Sequence, residues 1–204
     1  MPNNAFLPFR PLRPSTLVYN PLTSEAGTLG YIARQGQSRY LVSCAHVLIG
    51  KGQHPQPIYQ PSDEDGLGPV AETSGSMIDH EFDMAGARIF EAVACVNEPL
   101  VFGPLRGPWI DPDVGMRVVK FGATTGATEG QITSVEAGRF KIALPSFYPA
   151  GGTLSAAGDS GSLWIELESR RPVGFHYLGG IGSQAFAYAR IGREVMSRLG
   201  LQEL

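Results

Sequence analysis

Short runs of apolar and small residues, broken by Gly- and Pro-rich turns, follow one another along most of the chain. Such runs at this spacing predict β-strands joined by tight connections. The first two runs form a hairpin that turns near Gln35-Gly36-Gln37. Strands are predicted within residues 27–36, 38–50, 69–77, 83–93, 116–138, 139–147, 161–169, 171–180 and 184–191.

Two stretches lack this pattern and read as loops, residues 51–68 and residues 97–115. The second is rich in Pro and Gly and is the best candidate boundary between two halves. Helical spacing occurs only at the C-terminal end, where four apolar residues fall near one face, namely Ile191, Val195, Met196 and Leu199. The pattern therefore predicts an all-β sandwich or a pair of barrels with one C-terminal helix.

Composition narrows the function classes. The 204 residues are 43% hydrophobic and 17% charged, which is ordinary for a globular protein. The net charge of -3, without a basic cluster, disfavours nucleic-acid binding. No apolar run reaches the roughly 20 residues that span a membrane. The Pro-rich N-terminus does not resemble a signal peptide, and Cys44 and Cys95 make no disulfide framework, so we expect a cytoplasmic protein.

Three separated residues carry the candidate chemistry. His46 follows a predicted strand, Asp83 precedes another, and Ser160 lies in the stretch AAGDSGSLW at residues 156–164. A serine hydroxyl needs a base within hydrogen-bond reach, and a histidine needs a carboxylate that fixes its tautomer. The order His, Asp, Ser is one of the known chain orders of such a triad. Asp79 is close in sequence and remains an alternative to Asp83.

The glycines around Ser160 suggest a second part of the same site. Gly158 permits a turn in which its own amide and that of Ser160 point into one hollow. Two such donors would stabilise the oxyanion of a tetrahedral intermediate. Histidines and cysteines at these spacings do not make a zinc site, and no phosphate-binding loop is present, so neither a metal nor another cofactor is expected.

The segments CAHVL, DMA and GDSGS resemble the motifs of the chymotrypsin/trypsin-like serine protease family, in its bacterial form. The resemblance extends from about residue 28 to residue 189. It implies two antiparallel six-stranded β-barrels with the site between them. Residues 1–105 would form the first barrel with an N-terminal arm and carry His46 and Asp83. Residues 106–204 would form the second barrel with Ser160 and the C-terminal helix.

The resemblance also implies the catalytic roles. His46 would be the base, Asp83 its orienter and Ser160 the nucleophile, with the amides of Gly158 and Ser160 as the oxyanion hole.

One departure from the family concerns Asp159. Bacterial relatives often place an Arg before TTG that pairs with this carboxylate, and this chain has Ala123 there. A buried lone carboxylate is costly, so Asp159 needs another partner. Backbone amides, Arg117 and Lys120 are the candidates.

The resemblance also predicts a substrate pocket containing Leu154, Ser155, His176 and Tyr177. Leu154 stands where a trypsin holds an aspartate, which disfavours cleavage after Lys or Arg. A histidine and a hydroxyl in these places resemble the pockets of glutamate-specific bacterial endopeptidases and of viral proteases that cut after glutamine. Glu or Gln before the scissile bond is the expected preference. His176 as an ordinary strand histidine is the competing interpretation.

These observations favour a serine endopeptidase that acts through an acyl-enzyme on a protein or peptide substrate. Either a narrow target, such as a dedicated partner protein, or a triggered activity is expected, because an unselective protease in the cytosol is hazardous. A catalytically silent protease-like binding module and an esterase on the same fold remain the alternatives. The intact triad disfavours the first, and the strand-like LWIEL after GDSGS disfavours an α/β-hydrolase.

Overall fold

The computed structural model describes residues 4–23, 25–145, 152–179 and 186–204. A 3₁₀ helix at Asn4–Phe6 precedes the strands. The strands of the first half are β1 Leu17–Asn20, β2 Glu25–Thr28, β3 Tyr31–Gln35, β4 Ser38–Cys44, β5 Pro57–Ile58, β6 Ala71–Asp79 and β7 Met84–Ile89. Those of the second half are β8 Arg117–Gly122, β9 Gly126–Glu136, β10 Arg139–Ala143, β11 Leu163–Glu166, β12 Pro172–Gly179, β13 Phe186–Ile191 and β14 Gln202–Glu203. Two short helices complete the fold, α1 Ala45–Leu48 and α2 Gly192–Arg198.

The second half forms a closed barrel in the order β10-β13-β12-β11-β8-β9. Strands β10 and β13 alternate buried and partly exposed residues, as expected when one face lines the interior. The barrel core includes Phe140, Trp164 and Leu154, all nearly inaccessible to solvent. The predicted strand segment 116–138 contains β8 and β9, which pair antiparallel as a hairpin of this barrel.

The first half forms a six-stranded antiparallel sheet in the order β14-β3-β4-β7-β6-β5. Its edge strand β14 comes from the C-terminus, so the chain returns to the first sheet after completing the barrel. β1 and β2 form a separate two-stranded sheet, and a bridge between Tyr19 and Tyr59 holds it near β5. The predicted all-β architecture with a C-terminal helix is confirmed. The division at residue 105 stays a prediction.

The predicted hairpin is confirmed as β3 and β4, which turn at Gly36 with a φ of +58°. Other details differ from the sequence expectation, since β1 and β14 lie outside the predicted strands. A four-residue helix, α1, follows β4, and a two-residue strand, β5, lies inside the predicted loop 51–68. The C-terminal helix has 7 residues, because Gly200 with a φ of +62° ends it and the chain turns into β14. None of the helices in the described ranges is long and apolar enough to cross a membrane.

Candidate active site

The pairing of β4 with β7 brings His46 and Asp83 together. Cys44, the last residue of β4, lies opposite Met84, the first residue of β7. The Ala45 amide donates to the carbonyl of Asp83 over 2.9 Å, which fixes the start of α1 against the turn before β7. Asp83 has a φ of +55°, a left-handed conformation that Asp tolerates better than most residues. The sequence therefore places the two side chains on neighbouring strand ends.

Asp83 holds His46 through two hydrogen bonds. The amide of His46 donates to Asp83 Oδ1 over 3.0 Å, and His46 Nδ1 lies 2.6 Å from Asp83 Oδ2. A carboxylate accepts hydrogen bonds, so the neutral ring carries its proton on Nδ1 and leaves Nε2 free to accept one. The hydrogen bond that the Asp83 carboxylate accepts from the His46 ring raises the pKa of His46 above its usual value, although burial opposes this effect. Asp79 does not take this place, because it pairs with Arg198 at 3.1 Å.

The loop that carries Ser160 depends on two glycines with positive φ. Gly158 has a φ of +95° and Gly161 a φ of +90°, in the region that disfavours a side chain. A Cβ added to Gly161 would meet Ser43 Oγ and the Thr28 carbonyl. The Thr28 amide donates to the carbonyl of Ser160 over 2.8 Å, and the Gly161 amide donates to the backbone carbonyl of His176 over 2.7 Å. Strand β2 and the barrel strand β12 therefore hold this loop between them.

One groove of about 510 Å³ joins the two halves of the site. It is lined by His46, Ser160, Gly158, Thr124, Ala157, Phe6, Leu17, Glu25 and Ala26. Within the described residues, no hydrogen bond joins the Ser160 hydroxyl to His46, and the amides of Gly158 and Ser160 have no acceptor. Catalytic hydrogen bonds are often long in the absence of substrate. The structure thus brings the four predicted residues Ser160, His46, Asp83 and Gly158 to one place.

Asp159 is fully buried, and Lys120 is its ionic partner. Lys120 Nζ lies 2.8 Å from Asp159 Oδ2, and neither side chain is accessible to solvent. The hydroxyl of Thr125 donates to the same oxygen over 2.6 Å. The amides of Thr124 and Thr125 donate to Oδ1, and the amide of Ala156 donates to Oδ2. Of the predicted candidates, Lys120 and backbone amides are the partners.

Arg117, the other candidate, points elsewhere, because its Nε donates to Glu129 over 3.0 Å. Burial alone raises the pKa of Asp159, but Lys120 and Thr125 outweigh burial and lower that pKa below its usual value. Burial lowers the pKa of Lys120, and the Asp159 carboxylate opposes this effect. A mutually stabilised ion pair therefore lies directly behind the nucleophile loop.

Two of the predicted pocket residues lie together and two do not. A Cβ added to Gly179 would meet Ser155 Oγ and lie 3.9 Å from Cε1 of His176, so both side chains approach one point on β12. Leu154 instead belongs to the barrel core. Tyr177 lies under the Arg190 guanidinium, 4.1 Å from the ring centroid. Residues 146–151 and 180–185, which flank this region in sequence, are outside the described residues.

His176 is nearly inaccessible and uncharged. Burial, followed by the charge of Lys120, lowers the pKa of His176 to about 3. Its ring lies edge-on to Trp164 with 6.3 Å between centroids. Its Nδ1 is buried without a hydrogen-bond partner in the described residues. The ring is therefore neutral at pH 7 and keeps one nitrogen available as a donor and one as an acceptor.

Cys44, His46 and Asp83 form the one group in the described ranges that could hold a metal ion, with ligand atoms within 4.8 Å of one another. The geometry suits a proton-transfer site better. His46 Nδ1 and Asp83 Oδ2 already bond to each other, and the buried Cys44 thiol lies 3.3 Å from the carbonyl of His176. Burial raises the pKa of the Cys44 thiol, so it behaves as a small apolar residue, as its sequence context predicts.

No protein-family model matches the chain, and no curated protein is similar to it in sequence. Its structure is similar to a glutamic acid-specific serine protease, with a TM-score of 0.72, 16% identity, and coverage of 95% of this chain and 100% of that one. Thermobifida fusca protease A matches with a TM-score of 0.68 and 19% identity over 94% of this chain and 97% of that one. For Cellulomonas bogoriensis chymotrypsin the TM-score is 0.67 at 17% identity, over 96% and 99% of the two chains.

The chain has the chymotrypsin-like fold. The family resemblance in the sequence, with its bacterial character, agrees with these neighbours. The sequence analysis does not identify Thr125 or two residues of the groove wall, Phe6 and Glu25. Thr125 lies in the TTG segment, whose proximity to Asp159 is the signal that could have identified it. Nothing in the sequence of the N-terminal arm indicates that the arm contacts the groove.

Proposed function

We propose that this chain is a serine endopeptidase that cleaves peptide bonds through an acyl-enzyme. The observation that carries the proposal is the 2.6 Å hydrogen bond from His46 Nδ1 to Asp83, which turns the other ring nitrogen into an acceptor beside Ser160 in the same groove. Serine proteases among the structural neighbours support the same class of reaction. Asp83 orients the ring and stabilises its protonated form, while the serine supplies the nucleophile.

The reaction follows from these positions. Ser160 Oγ attacks the scissile carbonyl carbon as its proton moves to Nε2 of His46. The carbonyl oxygen becomes an oxyanion that accepts hydrogen bonds from the amides of Gly158 and Ser160. When the C–N bond breaks, His46 returns the proton to the departing amine. Water, deprotonated by His46, then attacks the ester and frees the serine.

The ion pair between Lys120 and Asp159 stabilises the nucleophile loop without a proteolytic activation step. The five hydrogen bonds and ionic contacts that Asp159 accepts fix the turn that carries both oxyanion donors. In this proposal Lys120, inside the barrel, supplies the positive charge that the Asp159 carboxylate needs. The nucleophile loop is therefore preorganised.

We further propose Glu or Gln as the residue before the scissile bond. Ser155 and His176 converge near Gly179 and would supply a hydroxyl and an imidazole to a side-chain carbonyl or carboxylate. One structural neighbour is described as a glutamic acid-specific protease that uses a histidine triad in substrate binding. In this chain Trp164, and not a second histidine, lies against His176. Among the described residues proposed for this pocket, none carries an acidic group for Lys or Arg.

The natural substrate in this proposal is a narrow target, and a dedicated partner protein fits this best. Mapping of new protein N-termini in a cell extract, with the wild type compared to Ser160→Ala, tests activity and target together. We expect a small set of new termini that follow Glu or Gln and are absent with Ser160→Ala. Equal sets of termini with the two proteins would refute the proposed activity, and leave a binding module as the better description. Rapid, unselective digestion would refute the narrow target.

A further inference from the structure

The groove that contains Ser160 and His46 is also lined by the N-terminal arm and by β1 and β2. Phe6, Leu17 and Glu25 form its far wall, together with Ala26. Ser155 and His176, the proposed contacts of the residue before the scissile bond, do not line it. Because His46 protonates the departing amine, the groove on its side receives the residue that follows the scissile bond. This inference rests on the proposed function.

The arm is fixed in place by a buried glutamine. Gln60 is inaccessible to solvent, and its Oε1 accepts from the amide of Phe9 over 2.9 Å. Its Nε2 donates to the carbonyl of Leu7 over 2.8 Å. Ala5 is fully buried in a small apolar cluster with Leu17. Phe6 lies between these anchors with 52% of its surface exposed, so its ring is presented to the groove by a rigid backbone.

The charge of the groove is negative on this side. Glu25 is the one ionisable residue in the far wall, and no Lys or Arg is among the lining residues in the described ranges. The carboxylate of Glu25 also adds, after Asp83, to the rise in the pKa of His46, which places its field at the reacting centre. The rest of the wall is apolar, from Phe6, Leu17 and Ala26.

We infer that this groove binds a lysine or arginine directly after the scissile bond. The aliphatic stem would lie along Leu17 and the ring of Phe6, and the cationic head would reach Glu25. The expected recognition sequence is therefore an acidic or amide residue followed by a basic one, which separates this chain from a protease with only one specificity pocket.

Acyl transfer to added amines measures binding in this groove separately from binding in the pocket for the residue before the scissile bond. A peptide ester forms the acyl-enzyme, and an amine then attacks the acyl carbonyl. A new amide bond forms, the bond to Ser160 Oγ breaks, and His46 carries the proton from the amine to the serine. The ratio of amide product to hydrolysed acid is measured for arginine amide, norleucine amide and glutamate amide. Because all three share one acyl-enzyme, differences between them report only the leaving-group side.

With the wild type, we expect arginine amide to capture the acyl group about three- to fivefold better than norleucine amide, as one partly exposed ion pair allows. Glutamate amide should be the poorest acceptor, and added salt should reduce the difference. Glu25→Gln should make arginine and norleucine amides equivalent. Phe6→Ala should weaken the capture of both amines while preserving their ratio. Glu168→Gln, which removes an exposed carboxylate in the turn after β11, should keep the wild-type ratio.

Equal capture of the three amides by the wild type, or an unchanged arginine preference in Glu25→Gln, would overturn this inference. Failure of the proposed function gives a different result. In that case the wild type would not turn over the ester at all, or Ser160→Ala would turn it over equally. The two failures are therefore distinguishable in one set of reactions.

Discussion

Lys120 and Asp159 form an ion pair inside the barrel, with 2.8 Å between Nζ and Oδ2 and no exposure of either side chain. The pair lies next to the proposed nucleophile, because Asp159 directly precedes Ser160. Removing one member of a buried pair leaves the other charge without compensation, which is far more costly than losing an exposed pair. The structure offers both kinds of pair on the same strand, since Arg117 and Glu129 pair at the surface.

Lys120→Met should therefore lower the free energy of unfolding by about 3–5 kcal/mol. Activity should fall further than the folded fraction explains, because Asp159 no longer holds the oxyanion turn. Arg117→Met is the matched control on β8 and should cost less than about 1 kcal/mol. Urea denaturation and peptide cleavage of both variants make the comparison. Equal losses in the two variants would contradict a special role for the buried pair.

Gly161→Ala should be strongly destabilising for two reasons. Gly161 has a φ of +90°, and an added Cβ would meet Ser43 Oγ and the Thr28 carbonyl. Gly36 also has a positive φ but has nothing within 4 Å of an added Cβ. We expect Gly36→Ala to cost about 1 kcal/mol and Gly161→Ala several times more. Thermal unfolding of the two variants measures the difference, and similar midpoints would show that the close approach at Gly161 does not exist.

The pH dependence of activity should report His46. The base must be neutral to accept the serine proton, so kcat/KM falls as the pH drops through the pKa of His46. Asp83 raises that pKa above its ordinary value of about 6.5, so the acidic limb should lie above pH 6.5. Asp83→Asn should move the limb to lower pH and reduce kcat by about four orders of magnitude. If the acidic limb of the pH profile of Asp83→Asn coincides with that of the wild type, Asp83 does not set the pKa of His46.

Peptides that differ only in the residue before the scissile bond test the proposed pocket. Glu and Gln should be the best residues, and Ser155→Ala should reduce kcat/KM for them by about five- to tenfold through loss of one hydrogen bond. Peptides with Ala at this position should be cleaved equally by both proteins, which serves as the internal control. Best cleavage after Lys, Arg or a large aromatic residue would refute the preference.

Much of the architecture could be predicted from the sequence because it depends on local signals. The apolar runs bounded by Gly and Pro gave the strands, and His46, Asp83 and Ser160 stood at the strand ends that the fold brings together. The sequence leaves Asp79 as an alternative to Asp83, because it does not define the strand register. In the structure, the register of β4 and β7 places Asp83 beside His46, while Asp79 pairs with Arg198. The partner of Asp159 was narrowed to a few candidates and no further, because Lys120 and Arg117 lie three residues apart on one strand and the pleat sends them to different faces.

Other features depend on tertiary contacts that have no local signal. The resemblance predicts Leu154 in the pocket, but its burial in the core of the closed barrel depends on packing that no local pattern indicates. The N-terminal arm was recognised as a separate segment, but its position depends on Gln60, which is about fifty residues away in sequence. The contact of Phe6 with the groove follows from that long-range anchor.

The most direct test of the central claim is covalent labelling by a fluorophosphonate, followed by intact-mass and peptide mass spectrometry. The wild type should take up one label at Ser160, Ser160→Ala should take up none, and His46→Ala should react slower by several orders of magnitude. Glu168→Gln, outside the groove, serves as the matched control and should react like the wild type. Absence of label from the folded wild type, or labelling of Ser160 at an equal rate in His46→Ala, would contradict an activated serine.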